Sequence, residues 1–359
     1  MAPPNAHAAG SPLRPDGEAA IARIVERYQT AINDELRAAL DQRPVPPFTL
    51  MRYHLGWEDK DGNPVEGRGG KLLRPALCLL CCEATGGDWR RALPAAAALE
   101  LIHNFTLIHD DVEDASRQRH GRETLWSVWG EAQAINAGDG MFALAQATLL
   151  RLTERGHPAG RVIEAARMLH EATLRLCEGQ HLDLLNEDKR QISHEDYLRM
   201  IEGKTAALLA ASTGIGALLG GATPETTDAL FEFGRRLGLA YQVRDDLLGV
   251  WGNVAETGKP AGDDLRAGKQ SYPVVVALER ASNDQRADLQ RLLANDVMSD
   301  ADVTHACATL EQLGARDEGE RVAREHADGA AAALDGLDLD ADRLGELRQL
   351  ARFAADRRA

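Results

Sequence analysis

Two acidic runs, DDVED at residues 110–114 and DDLLG at 245–249, lie 135 positions apart in stretches whose apolar residues return every three to four places, the pattern of amphipathic helix. On a helix, residues three and four apart share a face, so Asp110 stacks with Asp114, and Asp111 sits three before Asp114. Like charges at that spacing repel, so a cation between them is the physical reason to place them there. Oxygen ligands with no cysteine beside them select a hard ion. Mg²⁺ takes one or two carboxylates and completes its shell with water and phosphate oxygens, which makes diphosphate the expected cargo and Mn²⁺ an alternative metal. Gln242, Asp245 and Asp246 repeat the spacing of three and four. Either cluster alone reads as solvated helix surface; the two together predict a metal-dependent ionisation site.

The rest of the chain is read as helix. The three-and-four rhythm runs through 17–42, 94–116, 130–153, 160–186, 194–221 and 225–251, with no competing strand alternation. Gly86-Gly87, Pro94, Gly220-Gly221, Gly258 to Pro260 and Gly268 mark the turns. Residues 1–16, rich in Pro, Ala and Gly, are expected to be a disordered tail, and 17–359 a single all-α domain, since no linker-like stretch divides the chain. Residues 300–359 carry no obvious chemical group and are read as scaffold. A net charge of −15 argues against nucleic acid or an anionic membrane as partner. Five cysteines (78, 81, 82, 177 and 307) in an odd count, with no apolar run of transmembrane length and no signal peptide, fit a reducing cytoplasm. Cys78, Cys81 and Cys82 resemble half a zinc site without its other half, and are read as packing.

In an acidic chain, phosphates must meet local basic patches, and three are present. In GRGGKLLRP, Lys71 and Arg74 follow two glycines and precede Pro75, where a helix start would add backbone amides and its dipole to the two cations. Arg119, His120 and Arg122 lie just beyond the first acidic run. Lys204-Thr205, Lys259 and Lys269 flank the second, as donors of charge-assisted bonds. His103 falls on the stripe of Asp110 and Asp114, seven and four residues away, which aims it at the same space.

The ordered set GGKLLRPAL (69–77), ELIHNFTLIHDDVED (100–114), RHGRET (119–124), GDGMFALA (138–145), GQHLDL (179–184), GKTAAL (203–208), YQVRDDLLGVWG (241–252) and GKPAGDDLRAGKQSYP (258–273) resembles the trans-isoprenyl diphosphate synthases, the polyprenyl synthetase family. The resemblance covers about residues 50–280. It implies the isoprenoid synthase helical bundle, usually a homodimer, with the two acidic runs facing each other across a deep central cavity. It further implies about three Mg²⁺ ions, two on Asp110 and Asp114 with Asp111 in support, and one on Asp245 with Asp246 adjacent. Arg119, Lys204, Thr205, Gln242, Lys259 and Lys269 match positions that hold an allylic diphosphate; Lys71, Arg74 and His103 match those that hold isopentenyl diphosphate, with His120 where a second arginine is usual.

The implied reaction is a head-to-tail (1'-4) condensation in which the allylic C–O bond ionises and an apolar pocket keeps the cation from water. Phe105 stands five residues before Asp110, about 7.5 Å down the helix at ~1.5 Å per residue, while Thr106 is small. A bulky residue at position 105 resembles geranylgeranyl (C20) synthases, with C15 and C25 as alternatives. Three departures stand out. His120 would make the isopentenyl seat weaker or pH-dependent, Glu123 in place of Pro puts the local turn in doubt, and Gly249 replaces the third Asp of the second run. A class I terpene cyclase would pair the first run with an Asn/Ser/Glu triad not found here, and a regulatory subunit would have lost carboxylates that are all present.

Overall fold

The computed structural model describes residues 16–41, 43, 45, 47–65, 70–187, 192–252, 261–294 and 298–356. They form a helical bundle: α1 (Asp16–Leu40), α2 (Phe48–His54), α3 (Leu73–Ala84), α4 (Leu93–Glu113), α5 (Leu125–Trp129), α6 (Glu131–Leu150), α7 (Ala159–Glu187), α8 (His194–Ile201), α9 (Ala207–Gly220) and α10 (Pro224–Trp251), followed by further helices from Asp263 onward. Of the tail expected at 1–16, residues 1–15 lie outside the described residues, and α1 begins at Asp16, one residue before the expected rhythm at 17. Its stripe Ile24, Tyr28, Ile32 and Leu36 recurs every four residues and is buried throughout.

The long helices that carry the acidic runs are framed by small residues. Ala95 to Ala98 in α4 are fully buried, and α4 packs along α6, because short side chains let two helix axes approach. α10 opens on Thr223, whose hydroxyl accepts from Thr226 N–H at 3.2 Å, with Pro224 in the first turn. It packs on α9 and on the helix Ala315–Ala333, which gives the C-terminal segment a scaffolding position. Cys78, Cys81 and Cys82 are buried in the α3 contact with α9. One apolar cluster lies among α1, α3, α4, α6 and α9; a second, including Tyr197, Val243 and Tyr272, lies beneath the second acidic run. Among the described residues, no helix is long and apolar enough to cross a membrane.

Three local expectations are corrected. The helix after GRGGK begins at Leu73, with Leu72 left-handed at φ 49° as its cap, so Pro75 sits inside the first turn rather than opening it. The stretch 194–221 is not one helix: a π segment at Glu202–Ala206 interrupts it between α8 and α9. A two-stranded hairpin also exists, β1 (Gln118–Arg119) with β2 (Arg122–Glu123), too short to leave an alternation in the sequence.

Candidate active site

The last turns of α4 deliver the first acidic run to one end of the bundle, and the hairpin folds back to meet it. After Asp114 the chain turns through Ala115 at φ 50°, and Ser116 N–H donates to Asp111 O at 3.0 Å. His120 and Gly121, both with positive φ (52° and 74°), make the tight turn between β1 and β2. The hairpin is clamped to the end of α2. Tyr53 Oη donates to Glu123 O at 2.8 Å, and Arg122 donates to Tyr53 O and Glu58 O, each at 2.9 Å. The turn closes with Glu123 in place, paired with Gln118. As a result Arg119 forks across two carboxylates: Nη2 lies 3.1 Å from Asp110 Oδ2, and Nε lies 2.8 Å from Asp111 Oδ1. Burial pushes the Asp111 carboxyl up, and Arg119 pulls it back only in part. Asp114, the cap of α4, is exposed.

A close helix crossing places Lys204. A Cβ on Gly203 would stand 2.5 Å from Arg175 O and 2.9 Å from Gly179 Cα, and one on Gly179 would stand 2.7 Å from the Gly203 carbonyl carbon. Only two glycines let α7 and the π segment touch backbone to backbone, and π-bulges are common at functional sites. From this crossing Lys204 Nζ donates to Asp110 Oδ1 at 3.1 Å and Asp183 Oδ2 at 2.5 Å. Burial alone would lower the Lys204 ammonium, but the Asp110 and Asp183 charges outweigh it and hold its pKa above the usual lysine value. The next residue faces the other acidic run: Thr205 Oγ1 donates to Gln242 Oε1 at 2.8 Å, and Gln242 Nε2 donates to Asp246 Oδ1 at 3.0 Å. Adjacent residues of one bulge therefore join both clusters.

The two aspartates of the second run have different surroundings. Asp246 is buried, accepting from Tyr197 Oη, from Tyr272 N–H at 2.7 Å and from Gln242. Burial pushes its pKa up to about 7, against the pull of those donors. Asp245 is exposed. Gly249, four residues on, carries no carboxylate; a Cβ there would overlap the carboxylate of Asp264, 2.5 Å from its Cγ.

A third group of basic residues gathers around His103. Arg74 and His103 are half-buried, and the side chains of Arg74, Arg119, His54 and His120 all act electrostatically on His103. Burial, then the Arg74 and Arg119 guanidinium groups, hold His103 well below the usual imidazole range; His120 is lowered by burial, Arg119 and Lys71. Arg74 Nε is buried without a hydrogen-bond partner, and burial lowers the guanidinium while the neighbouring Glu100 raises it. Such a set of neutral imidazoles and cations suits an anion. His54, at the end of α2, was not singled out by the sequence, where a lone histidine outside the acidic and basic runs gives no signal. Its pKa is lowered to about 3, first by burial and then by Arg119. Lys259 lies outside the described residues, and Lys269 is exposed, with its backbone N–H on Asp264 O at 3.0 Å.

Below the acidic run, the Phe105 ring meets Phe142 of α6 edge-on at 5.5 Å and His109 at 5.3 Å, while the Thr106 hydroxyl turns back to His103 O. Sequence reasoning missed Asp183, the second partner of Lys204, and Gln180, which donates to Glu113 at 2.8 Å. Both lie in GQHLDL, a segment noted for its resemblance but given no chemistry.

The polyprenyl synthetase family model matches residues 63–310. Two curated Mycobacterium tuberculosis relatives are similar to this chain. A (2E,6E)-farnesyl diphosphate synthase is 37% identical over 363 residues, covering 98% of each chain, and a geranylgeranyl diphosphate synthase is 40% identical over 311 residues, covering 87% of this chain and 88% of its own. Among solved structures, a polyprenyl synthetase from Streptomyces coelicolor A3(2) superposes with a TM-score of 0.86 at 40% identity, covering 93% of this chain and 99% of that one. A Corynebacterium glutamicum geranylgeranyl pyrophosphate synthase, complexed with isoprenyl diphosphate and magnesium, superposes at 0.81 and 29% identity, covering 93% and 99%. With its helical bundle and paired acidic runs, the chain belongs to the polyprenyl synthetase family and is a prenyltransferase.

The donor set fits a hard divalent ion: Asp110, Asp114 and Asp245 offer only carboxylate oxygens. Among the described residues, no three His, Cys, Asp or Glu side chains converge closely enough to enclose an ion unaided.

Proposed function

We propose that this enzyme condenses isopentenyl diphosphate with an allylic prenyl diphosphate, head to tail (1'-4), and that its product is geranylgeranyl diphosphate (C20). The observation that carries the reading is the bulge at Glu202–Ala206, whose Lys204 reaches the first acidic run and whose Thr205 reaches the second, beside a separate basic seat. Two groups of basic residues, one of them joined to both acidic runs, match a reaction with two diphosphate substrates.

In this reading Arg119, Lys204, Thr205, Gln242, Lys259 and Lys269 hold the allylic diphosphate, and Lys71, Arg74, His103 and His120 hold isopentenyl diphosphate. Mg²⁺ on Asp110, Asp114 and Asp245, about three ions in all, would draw electron density from the leaving diphosphate. Asp111 and Asp246 act one step back, Asp111 by orienting Arg119 and Asp246 by fixing Gln242. Lys204 and Arg119 stabilise the charge that grows on the diphosphate as the C–O bond breaks and its electron pair goes to oxygen. The double bond of isopentenyl diphosphate then attacks the allylic carbon, and the released pyrophosphate takes the proton lost from the new link. Phe105 against Phe142 forms the apolar floor that stops the chain and excludes water. The same reading includes a homodimer in the cytoplasm.

A farnesyl (C15) product is the second reading, favoured by the farnesyl synthase relative that matches over 98% of both chains. The test is purified protein with Mg²⁺, labelled isopentenyl diphosphate and C5, C10 or C15 starters in turn, with products sized by chromatography. A dominant C20 product is expected; a dominant C15 product replaces the length assignment, and no incorporation with any starter overturns the proposal.

A further inference from the structure

The bulge at Glu202–Ala206 carries Lys204 and Thr205, and its own hydrogen bonding does not fix where they point. A π turn holds an extra residue within a helix. If its register slipped by one residue, each side chain would swing by about 100° around the axis, and Lys204 and Thr205 would lose Asp110 and Gln242 together. Gly203 against Gly179 ties the bulge to α7 on one side. The grip on its other side comes from α10, which packs along it.

Arg235, Gly238 and Gln242 follow at i, i+3 and i+7 on one face of α10, and each meets a different residue of the bulge. At the first residue, Glu202 Oε1 accepts from Arg235 Nη1 at 3.0 Å. The other arms of the same guanidinium are taken within α10: Nε donates to Glu232 Oε2 at 2.6 Å and Nη2 to Glu232 Oε1 at 2.8 Å. That two-point grip fixes the plane of the group before it reaches Glu202, so little freedom is left to lose in the contact. At the last residue, the backbones come so close that a Cβ on Gly238 would stand 2.6 Å from Ala206 Cα and 2.9 Å from Ala206 Cβ. Between these ends, Thr205 Oγ1 donates to Gln242 Oε1 at 2.8 Å.

We propose that Arg235 and Gly238 are positioning residues: with Glu202 they lock the register of the bulge on α10, and so hold Lys204 at the first acidic run and Thr205 at the second. This rests on the reading of Lys204 as a holder of the allylic diphosphate. All three guanidinium nitrogens of Arg235 face glutamates, so Arg235 acts through the bulge and touches no substrate itself. His103 and its basic neighbours belong to other elements, α2, α3, α4 and the hairpin. The lock therefore bears on the allylic diphosphate and leaves isopentenyl diphosphate binding alone.

Steady-state kinetics on the full chain, with Mg²⁺, isopentenyl diphosphate and the allylic starter that the wild type turns over fastest, read the lock. Glu202→Ala, at an exposed position, and Arg235→Met should each lower kcat about 10-fold and raise KM for the allylic diphosphate, with KM for isopentenyl diphosphate unchanged. Arg235→Lys, which still reaches Glu202, should recover part of the loss. Gly238→Val, which displaces Ala206, should cost about 10²-fold. Leu36→Ala, in the buried stripe of α1, should lower stability and leave both KM values as they are, which separates positioning from general loosening. In a Lys204→Gln background, Glu202→Ala should add little, because its effect runs through Lys204. Wild-type kinetics in folded Glu202→Ala, or a loss that adds in full to that of Lys204→Gln, would overturn the inference while Lys204→Gln alone is impaired. If the wild type incorporates nothing, or Lys204→Gln is as active as the wild type, the reading of the reaction or of the allylic seat fails first, and this inference with it.

Discussion

Lys204 is where the residue-scale account is most exposed. It donates to Asp110 and to Asp183 and keeps its charge despite burial, so Lys204→Gln should lower kcat by about 10²- to 10³-fold, the usual cost of removing one donor from a developing oxyanion. Asp183→Asn should cost less, since it acts by holding Lys204 in place; steady-state kinetics on both variants separate the two roles. For Phe105, truncation to Ala should open the floor beside Phe142 and shift products to longer chains on chromatography; an unchanged product spectrum would remove it as the length determinant. Asp110, Asp114 and Asp245 were legible because their spacing on a helix has a physical meaning. Asp183, Phe142 and His54 were not, because each is a single residue brought in by tertiary packing, with no periodic partner in the sequence.

At the scale of elements, the crossing of α7 with the bulge at Glu202–Ala206 does the positioning. Gly203→Val would drive a side chain into the Arg175 carbonyl and the Gly179 backbone. Overpacking of this kind costs on the order of 1–3 kcal/mol, and the displaced Lys204 should also lose contact with Asp110. Chemical denaturation and kcat should therefore fall together; a variant of normal stability and full activity would show that the crossing does not place Lys204. The helices themselves could be read from apolar rhythm, but the bulge could not. Its one-residue change in hydrogen bonding leaves the hydrophobic pattern of 194–221 intact, so the sequence looks like one helix. The start of α3 was misplaced for a related reason: Pro75 is favoured early in a helix, yet left-handed Leu72 begins it two residues sooner.

The molecule keeps a cluster of imidazoles neutral beside guanidinium groups, and this contributes to its acid stability. His54, with a folded pKa near 3 against about 6.5 in the unfolded chain, stays neutral in the native state while the unfolded state takes up a proton. Between those values the unfolded chain binds more protons, so stability rises with pH and is lost as pH falls from about 6.5 toward 3, by up to about 1.4 kcal/mol per pH unit. The groups facing it are Arg119, His120 and Arg122 from the hairpin and Asn104 from α4. His54→Gln should flatten this acid limb in denaturation curves recorded across pH 4–7, and an unaltered slope would assign the effect to His103 or His120. The bundle and its two acidic faces could be read in advance, whereas the packing of hairpin on α2 that gathers these histidines depends on backbone contacts from Arg122 that no local pattern announces.

The central claim is that paired carboxylate faces hold divalent ions which ionise a prenyl diphosphate. The most direct measurement is incorporation of labelled isopentenyl diphosphate at buffered free Mg²⁺, from chelated to millimolar, for the wild type and for Asp110→Ala and Asp245→Ala. No turnover under chelation, a rate that climbs with free Mg²⁺, and a loss of about 10³-fold or more in each variant are expected; turnover that persists without divalent ions, or through loss of either aspartate, would contradict the account.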